Sequence, residues 1–189
     1  KHPRVTVVYL PKPRGQRAAT NVAATVANTP YICKLDAHCG VDEDFDLKVL
    51  AAIEPDWTVI PAQYNLHAFD WVCTDCGHRS YQGRIPMACE ACGSETPQTK
   101  DILWKQKPRQ RTEFWRFDSE LHFQYFSEFK KRPEAKGDVV DVMSCLGACF
   151  VMARERFWQL GGLDERHGSW GAMGTEIACK SWLSGGRMV

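Results

Sequence analysis

Apolar positions along this chain alternate between short β-branched runs and helical stripes. Residues 5–10 (VTVVYL) are apolar and β-branched, which predicts a buried strand broken by Pro11, Pro13 and Gly15. Over residues 16–27, Ala19, Val22, Ala23 and Val26 recur at helical spacing, and Asn28-Thr29-Pro30 ends the helix. Residues 31–35 form a second predicted strand that runs into Asp36-Ala37-His38. A helix over 42–53 follows, its acidic residues in the first turn where the helix dipole favours them, and residues 57–60 make a third strand. This rhythm predicts an α/β fold with parallel strands. Ligands gather at the carboxyl ends of such strands, where Asp36 and His38 stand.

The rhythm then stops. Residues 73–93 read as a compact insert, followed by an aromatic and basic stretch and a solvated loop over 131–137. Strand material resumes over 139–153. A helix over 154–160 is closed by Gly161-Gly162, and a last amphipathic helix over 176–183 is capped by Gly185-Gly186. The expected divisions are therefore 1–71, an insert at 72–94, a connecting segment at 95–138, and 139–189.

Cysteine spacing sharpens the insert. Cys73-x2-Cys76-Gly77 is followed by Cys89-x2-Cys92-Gly93, two glycine-flanked knuckles of the kind that place four thiolates around one cation. A closed four-thiolate site is structural, because it leaves no open coordination position. The alternative is four free thiols or a redox pair. The other five of the nine cysteines are scattered, which favours reduced thiols over a secreted disulfide framework and so a reducing, cytoplasmic compartment. The net charge of +1 announces no global field for nucleic acid or membrane, and no apolar run reaches the roughly 20 residues of a membrane helix.

Asp36-x-His38 at a strand end puts a carboxylate and an imidazole where both can face one divalent ion. By itself the pattern is equally that of a helix-capping Asp. Three stretches give it context. Residues 15–21 (GQRAATN), 35–39 (LDAHC), and 147–150 (GACF) with 161–165 (GGLDE) resemble segments of the GT-A fold glycosyltransferases, especially family 2 and the polypeptide N-acetylgalactosaminyltransferases. Trp170-Gly171 through Glu176, Trp182 and Gly185-Gly186 resemble the block that follows in that family. The likeness covers roughly residues 3–62 and 139–189 and omits the insert.

The resemblance implies a GT-A, Rossmann-like nucleotide-diphospho-sugar transferase core with a small zinc-ribbon insertion. It implies a nucleotide-sugar donor, a UDP-sugar first, and Mn2+ or Mg2+ held by Asp36 and His38. Donor contacts are expected from Arg17, Asn21 and Trp170, although Arg17 is equally a solvated helix arginine and Trp170 equally a core residue. The family's acidic pair, which includes the catalytic base, aligns with Met173 and Gly174, neither of which takes a proton. Glu176 is the nearest carboxylate and becomes the candidate base, with a helix-dipole role as the alternative. The resemblance also implies that the strands holding the nucleobase lie upstream of Lys1, and a further histidine ligand beyond Val189.

Residues 104–116 hold five basic residues against one acid, with Trp104, Phe114 and Trp115 interleaved. Basic and aromatic residues together suit phosphate contacts and base stacking. Arg109, Arg111 and Trp115 are the candidate acceptor contacts, and a polymeric acceptor such as DNA is the first expectation, ahead of a protein or a glycan. A solvated loop whose aromatics cover the core is the competing description. A binding module that kept the fold and lost the base is the competing function.

Overall fold

The computed structural model describes residues 2–189, with residues 109–112 described by their backbone alone. The chain runs α1 (Gly15–Val26), β1 (Tyr31–Leu35), α2 (Phe45–Leu50), β2 (Trp57–Val59), β3 (Gln63–Cys73), β4 (Arg79–Tyr81) and β5 (Gln98–Thr112). It continues through β6 (Trp115–Phe117), β7 (Phe123–Tyr125), β8 (Cys149–Ala153), α3 (Arg154–Gln159), α4 (Met173–Leu183) and β9 (Arg187–Met188). Two compact units result: residues 1–61 with 113–189, and residues 62–112.

The first unit is organised by a four-stranded sheet of order β1-β8-β2-β9. Strand β8 lies antiparallel to both β1 and β2, while β2 and β9 are parallel. The parallel sheet read from the alternation is corrected here, because β8 returns from distant sequence and inserts between β1 and β2. Central position explains why Cys149–Met152 are all buried and show no period of two. Phe150 and Met152 pack with Trp115, Phe157, Ile177 and Met188 in the main core. Val151 packs on the other side with Val49 and Ile53. Among the described residues no helix is long and apolar enough to cross a membrane.

Several expected elements differ in extent. Residues 5–10 are extended but belong to no sheet, and Val5, Val7, Val8 and Tyr9 are exposed, because no neighbouring strand pairs with them. Helix α2 is six residues long, its N-cap Asp44 having the left-handed conformation (φ 57°) that stops the helix from extending back to Asp42. Residues 139–148 are mostly loop, with strand β8 confined to Cys149–Ala153. Helix α4 starts at Met173, one turn earlier than expected. Gly174 permits this: an ideal Cβ there would lie 1.8 Å from the Cys145 carbonyl oxygen, so only glycine lets the helix approach that backbone.

The second unit is an antiparallel sheet of order β4-β3-β5. It is wider than the cysteine knuckles, because β3 and β5 pair along Gln63–Cys73 and Gln98–Thr112 on either side of them. Each knuckle is a tight turn closed by paired bonds. Gly77 N donates to Cys73 O (2.9 Å) and Cys73 N to His78 O (2.9 Å); Gly93 N donates to Cys89 O (2.8 Å) and Cys89 N to Ser94 O (2.8 Å). The glycines at φ 73° and 71° supply the left-handed residue each turn requires. The basic aromatic stretch is therefore strand to Thr112 and not a loop.

Candidate active site

Asp36 leaves β1 in a turn fixed from both sides. Its N–H donates to Ala148 O (2.9 Å), and its carbonyl accepts from Cys39 N (3.0 Å). Oδ1 of its side chain accepts from Gln16 Nε2 (2.8 Å) and from the Lys34 ammonium, which also donates to Gly147 O. Oδ2 lies 3.9 Å from His38 Nε2, and the His38 side chain is 82% exposed. A carboxylate oxygen and an imidazole nitrogen from one short turn suit a divalent first-row ion. Among the described residues no third His, Cys or carboxylate ligand joins them. Two protein ligands leave coordination positions for water and phosphate oxygens, as small octahedral cations on nucleotide substrates require.

Gln16 carries no mark in the sequence, since nothing in its spacing sets it apart. Besides holding Asp36, its backbone N–H donates to Ser169 O (2.8 Å), tying the first turn of α1 to the loop over 168–171. Trp170 stands on that loop with 82% of its surface exposed. It is not a core tryptophan, so its ring face is available for stacking.

Arg17 is not turned toward a donor. It is 1% exposed, and its Nε donates to Glu176 Oε2 (2.9 Å) while its terminal nitrogens donate to Gly168 O (3.2 Å) and Gly171 O (2.6 Å). Glu176 Oε1 accepts from Asp164 N (2.6 Å) and Lys180 Nζ (2.9 Å). Glu176, the candidate base, is therefore buried and fully engaged by these partners. Desolvation alone would raise its pKa, but the Arg17 guanidinium, the Asp164 amide and Lys180 outweigh it and hold the carboxyl below its usual range. A committed carboxylate of that kind is a poor proton acceptor near neutral pH.

Asn21 is likewise structural. Its Nδ2 donates to Leu163 O (2.8 Å) and its Oδ1 accepts from Leu163 N (2.9 Å), so the amide reproduces a strand-like pair on the turn after α3. Met173 is buried, and Gly174 faces the Cys145 backbone. Trp115 is 1% exposed in the main core, which corrects its acceptor role. The Arg109 and Arg111 side chains lie outside the described residues. Trp104 is half exposed on β5, as are neighbours on that strand such as Ile102.

The four knuckle cysteines converge, all four sulfurs lying within 4.8 Å of one another. Cys73 and Cys92 sulfurs are 3.8 Å apart, Cys76 and Cys89 sulfurs 3.6 Å. The edge of a tetrahedron with zinc–sulfur bonds of ~2.3 Å is about 3.8 Å, so the quartet has the spacing a zinc ion needs. Amides of Cys76 and Asp75 point at Cys73 sulfur and, with the Cys89 and Cys76 side chains and against the effect of burial, bring its pKa down to about 6, favouring the thiolate that binds metal.

Comparison with known proteins bears on the fold. Residues 1–76 match the glycosyl transferase family 2 model. A 42-residue stretch is 45% identical to N-acetylgalactosaminyltransferase 6 of Drosophila melanogaster, covering 22% of this chain and 6% of that protein. The crystal structure of GalNAc-T7 with UDP, GalNAc and Mn2+ superposes on 97% of this chain with a TM-score of 0.60 at 20% identity. The chain spans 30% of that solved chain. The fold is thus that of the GT-A glycosyltransferases, and the four-cysteine insert is consistent with a zinc ribbon.

The Arg17–Glu176 pair makes a stability prediction. Glu176→Gln is expected to cost about 3–5 kcal/mol at pH 7, because it leaves the buried guanidinium without its counter-charge. Since the folded-state pKa of Glu176 lies below the unfolded value of 4.5, its charge stabilises fully above that value and ceases to do so as pH falls through the folded pKa. Urea unfolding of both proteins from pH 7 downward should show the gap narrowing only below pH 4.5.

Proposed function

We propose that this chain is the donor-binding core of a divalent-metal-dependent glycosyltransferase that moves a sugar from a nucleotide sugar, a UDP-sugar first, to a hydroxyl acceptor. The observation that carries it is Asp36 at the end of β1, one carboxylate oxygen held by Lys34 and Gln16 and the other directed toward exposed His38. Asp36 and His38 would hold Mn2+ or Mg2+. When bound, the ion neutralises charge that builds on the departing diphosphate, a Lewis-acid contribution of several kcal/mol. Trp170 offers a flat apolar face for the sugar, positioned through Ser169 by Gln16. Arg17 and Glu176 act behind this surface, holding the loop that carries Trp170.

One observation favours a second reading, a sugar-nucleotide-binding module without transfer. Met173 and Gly174 put no carboxylate where the family resemblance implies an acidic pair, and Glu176 is committed to Arg17 and Lys180. Hydrolysis of UDP-sugars with added Mn2+ separates the two readings. Asp36→Ala should abolish turnover and Mn2+-dependent nucleotide binding in a chain that still folds, with a lowered unfolding midpoint because the change also removes the counter-charge of buried Lys34. Retained turnover in that variant would remove Asp36 from the mechanism.

The cysteine quartet is proposed to hold one structural zinc per chain. Elemental analysis of protein purified without chelator should find one equivalent of zinc, lost in Cys76→Ser and kept in Cys145→Ser. Cys145 is fully buried, and burial pushes its thiol up to about 12, so it has no metal-binding character.

The acceptor is proposed to be a polyanion, DNA first, held by the basic strand β5. The sequence of that strand holds five basic residues, Lys100, Lys105, Lys107, Arg109 and Arg111, to one acid, Asp101, and Trp104 on it is half exposed. Arg109→Ala with Arg111→Ala should weaken DNA binding and flatten its salt dependence, by about 0.9 in log–log slope for each phosphate that is no longer neutralised. Donor hydrolysis should be unchanged. Binding without salt dependence in wild type would move a protein or glycan acceptor to first place.

A further inference from the structure

Strand β1 has one buried residue, and it is a lysine. Lys34 lies opposite Phe150 on β1, with 6% of its side chain exposed, while Cys33 and Leu35 on either side are exposed. A buried ammonium must find hydrogen-bond acceptors and a counter-charge. Lys34 finds both beside its own turn, at Asp36 Oδ1 and Gly147 O. Gln16 Nε2 donates to that same Oδ1 at 2.8 Å. One oxygen of the carboxylate is thereby saturated by two donors. The other, Oδ2, faces His38.

We infer that Lys34 determines which ion the Asp36 site accepts, by holding the carboxylate monodentate and adding a fixed positive charge beside the ion. This rests on the proposed role of Asp36 as a metal ligand. Large Ca2+ gathers six to eight oxygens and commonly takes carboxylates through both oxygens, whereas small octahedral cations take one oxygen and keep their waters. A carboxylate with Oδ1 occupied serves the second kind and penalises the first. The ammonium also repels every divalent ion, so the protein site alone binds loosely and a phosphate-bearing substrate completes it. Lys34 is in these terms a positioning residue. Gln16 assists it without adding charge.

Mn2+ alone is the probe, its free concentration read from the room-temperature EPR signal of the full chain with Ca2+ as competitor. Wild type should bind Mn2+ clearly more tightly than Ca2+. Lys34→Met keeps the aliphatic stem against Phe150 and removes the charge. It should bind Mn2+ about tenfold more tightly, as expected for losing a unit charge a few ångströms from a divalent ion. Its affinity for Ca2+ should rise further still, so that the ratio between the ions narrows. A merely structural lysine would weaken binding of both ions alike. Unchanged Mn2+ affinity and unchanged ion ratio in Lys34→Met, with Mn2+ binding lost in Asp36→Asn, overturns the role of Lys34 alone. Undiminished Mn2+ binding in Asp36→Asn overturns the metal role of Asp36 and this inference with it. Wild type that binds Ca2+ as tightly as Mn2+ overturns the inference whatever the variant does.

Discussion

The buried pair of Arg17 and Glu176 is the constraint on which the first unit depends. Placing two charges out of water is costly, and the attraction between them offsets that cost only when every remaining donor and acceptor is satisfied. Here backbone groups and a lysine satisfy them. Arg17 reaches Gly168 and Gly171, and Glu176 reaches the Asp164 amide and Lys180. Groups from separate parts of the sequence can meet this way in only one arrangement. The pair therefore sets the register of α1 against α4 and of both against the loop over 168–171. Asn21 adds a second fastening one turn along α1, gripping Leu163 through both edges of its amide. A hydrophobic substitute of equal volume would pack as well but would not specify where the loop must run.

The second unit is held together by different means. Among its described residues the buried ones are Asp70, Cys73, Cys89 and Gln98, so there is almost no apolar interior. Phe69, Trp71 and Ile102 lie along the sheet without closing into a core, and Lys100 rests its ammonium 3.9 Å from the centre of the Phe69 ring. Asp70 is gripped by His67 and Arg79, which extends to Asp101. Three strands without a core are marginal in water. A zinc ion held as proposed by the four converging sulfurs would be the strongest cohesive feature of this unit, and the knuckle spacing in the sequence is sufficient to find the cluster.

Legibility in the sequence follows the range of the interaction. Helix α1, strands β1 and β2, helix α3 and the knuckles are set by local periodicity, proline and glycine, and all stand close to where the pattern puts them. The antiparallel insertion of β8 is not legible, because strand order depends on residues far apart in the chain, such as Lys34 opposite Phe150. Residues 5–10 have the composition of a strand, but a ladder needs a partner, which composition does not supply. At the candidate site, Asp36 and His38 are singled out by the family resemblance, their spacing alone being equally that of a helix-capping aspartate. Arg17, Asn21 and Glu176 stand out as polar residues in meaningful positions, yet their direction is not readable: a side chain on an amphipathic helix points inward or outward according to what waits for it. Trp115 and Trp170 make the same point in opposite senses. One is sealed in the core and the other stands free, though both are equally aromatic residues in polar surroundings.

Gln16 joins two walls of the site through different parts of one residue. Its amide side chain holds the carboxylate of Asp36, while its peptide N–H holds the loop that carries Trp170. The residue works as a fulcrum. A shift of the loop outward pulls on the first peptide of α1 and swings the side chain that orients Oδ1; a rotation of the carboxylate transmits back along the same short arm. The proposed platform for a sugar and the proposed ligand for a cation consequently cannot move independently, and their separation is gauged by the length of a single glutamine.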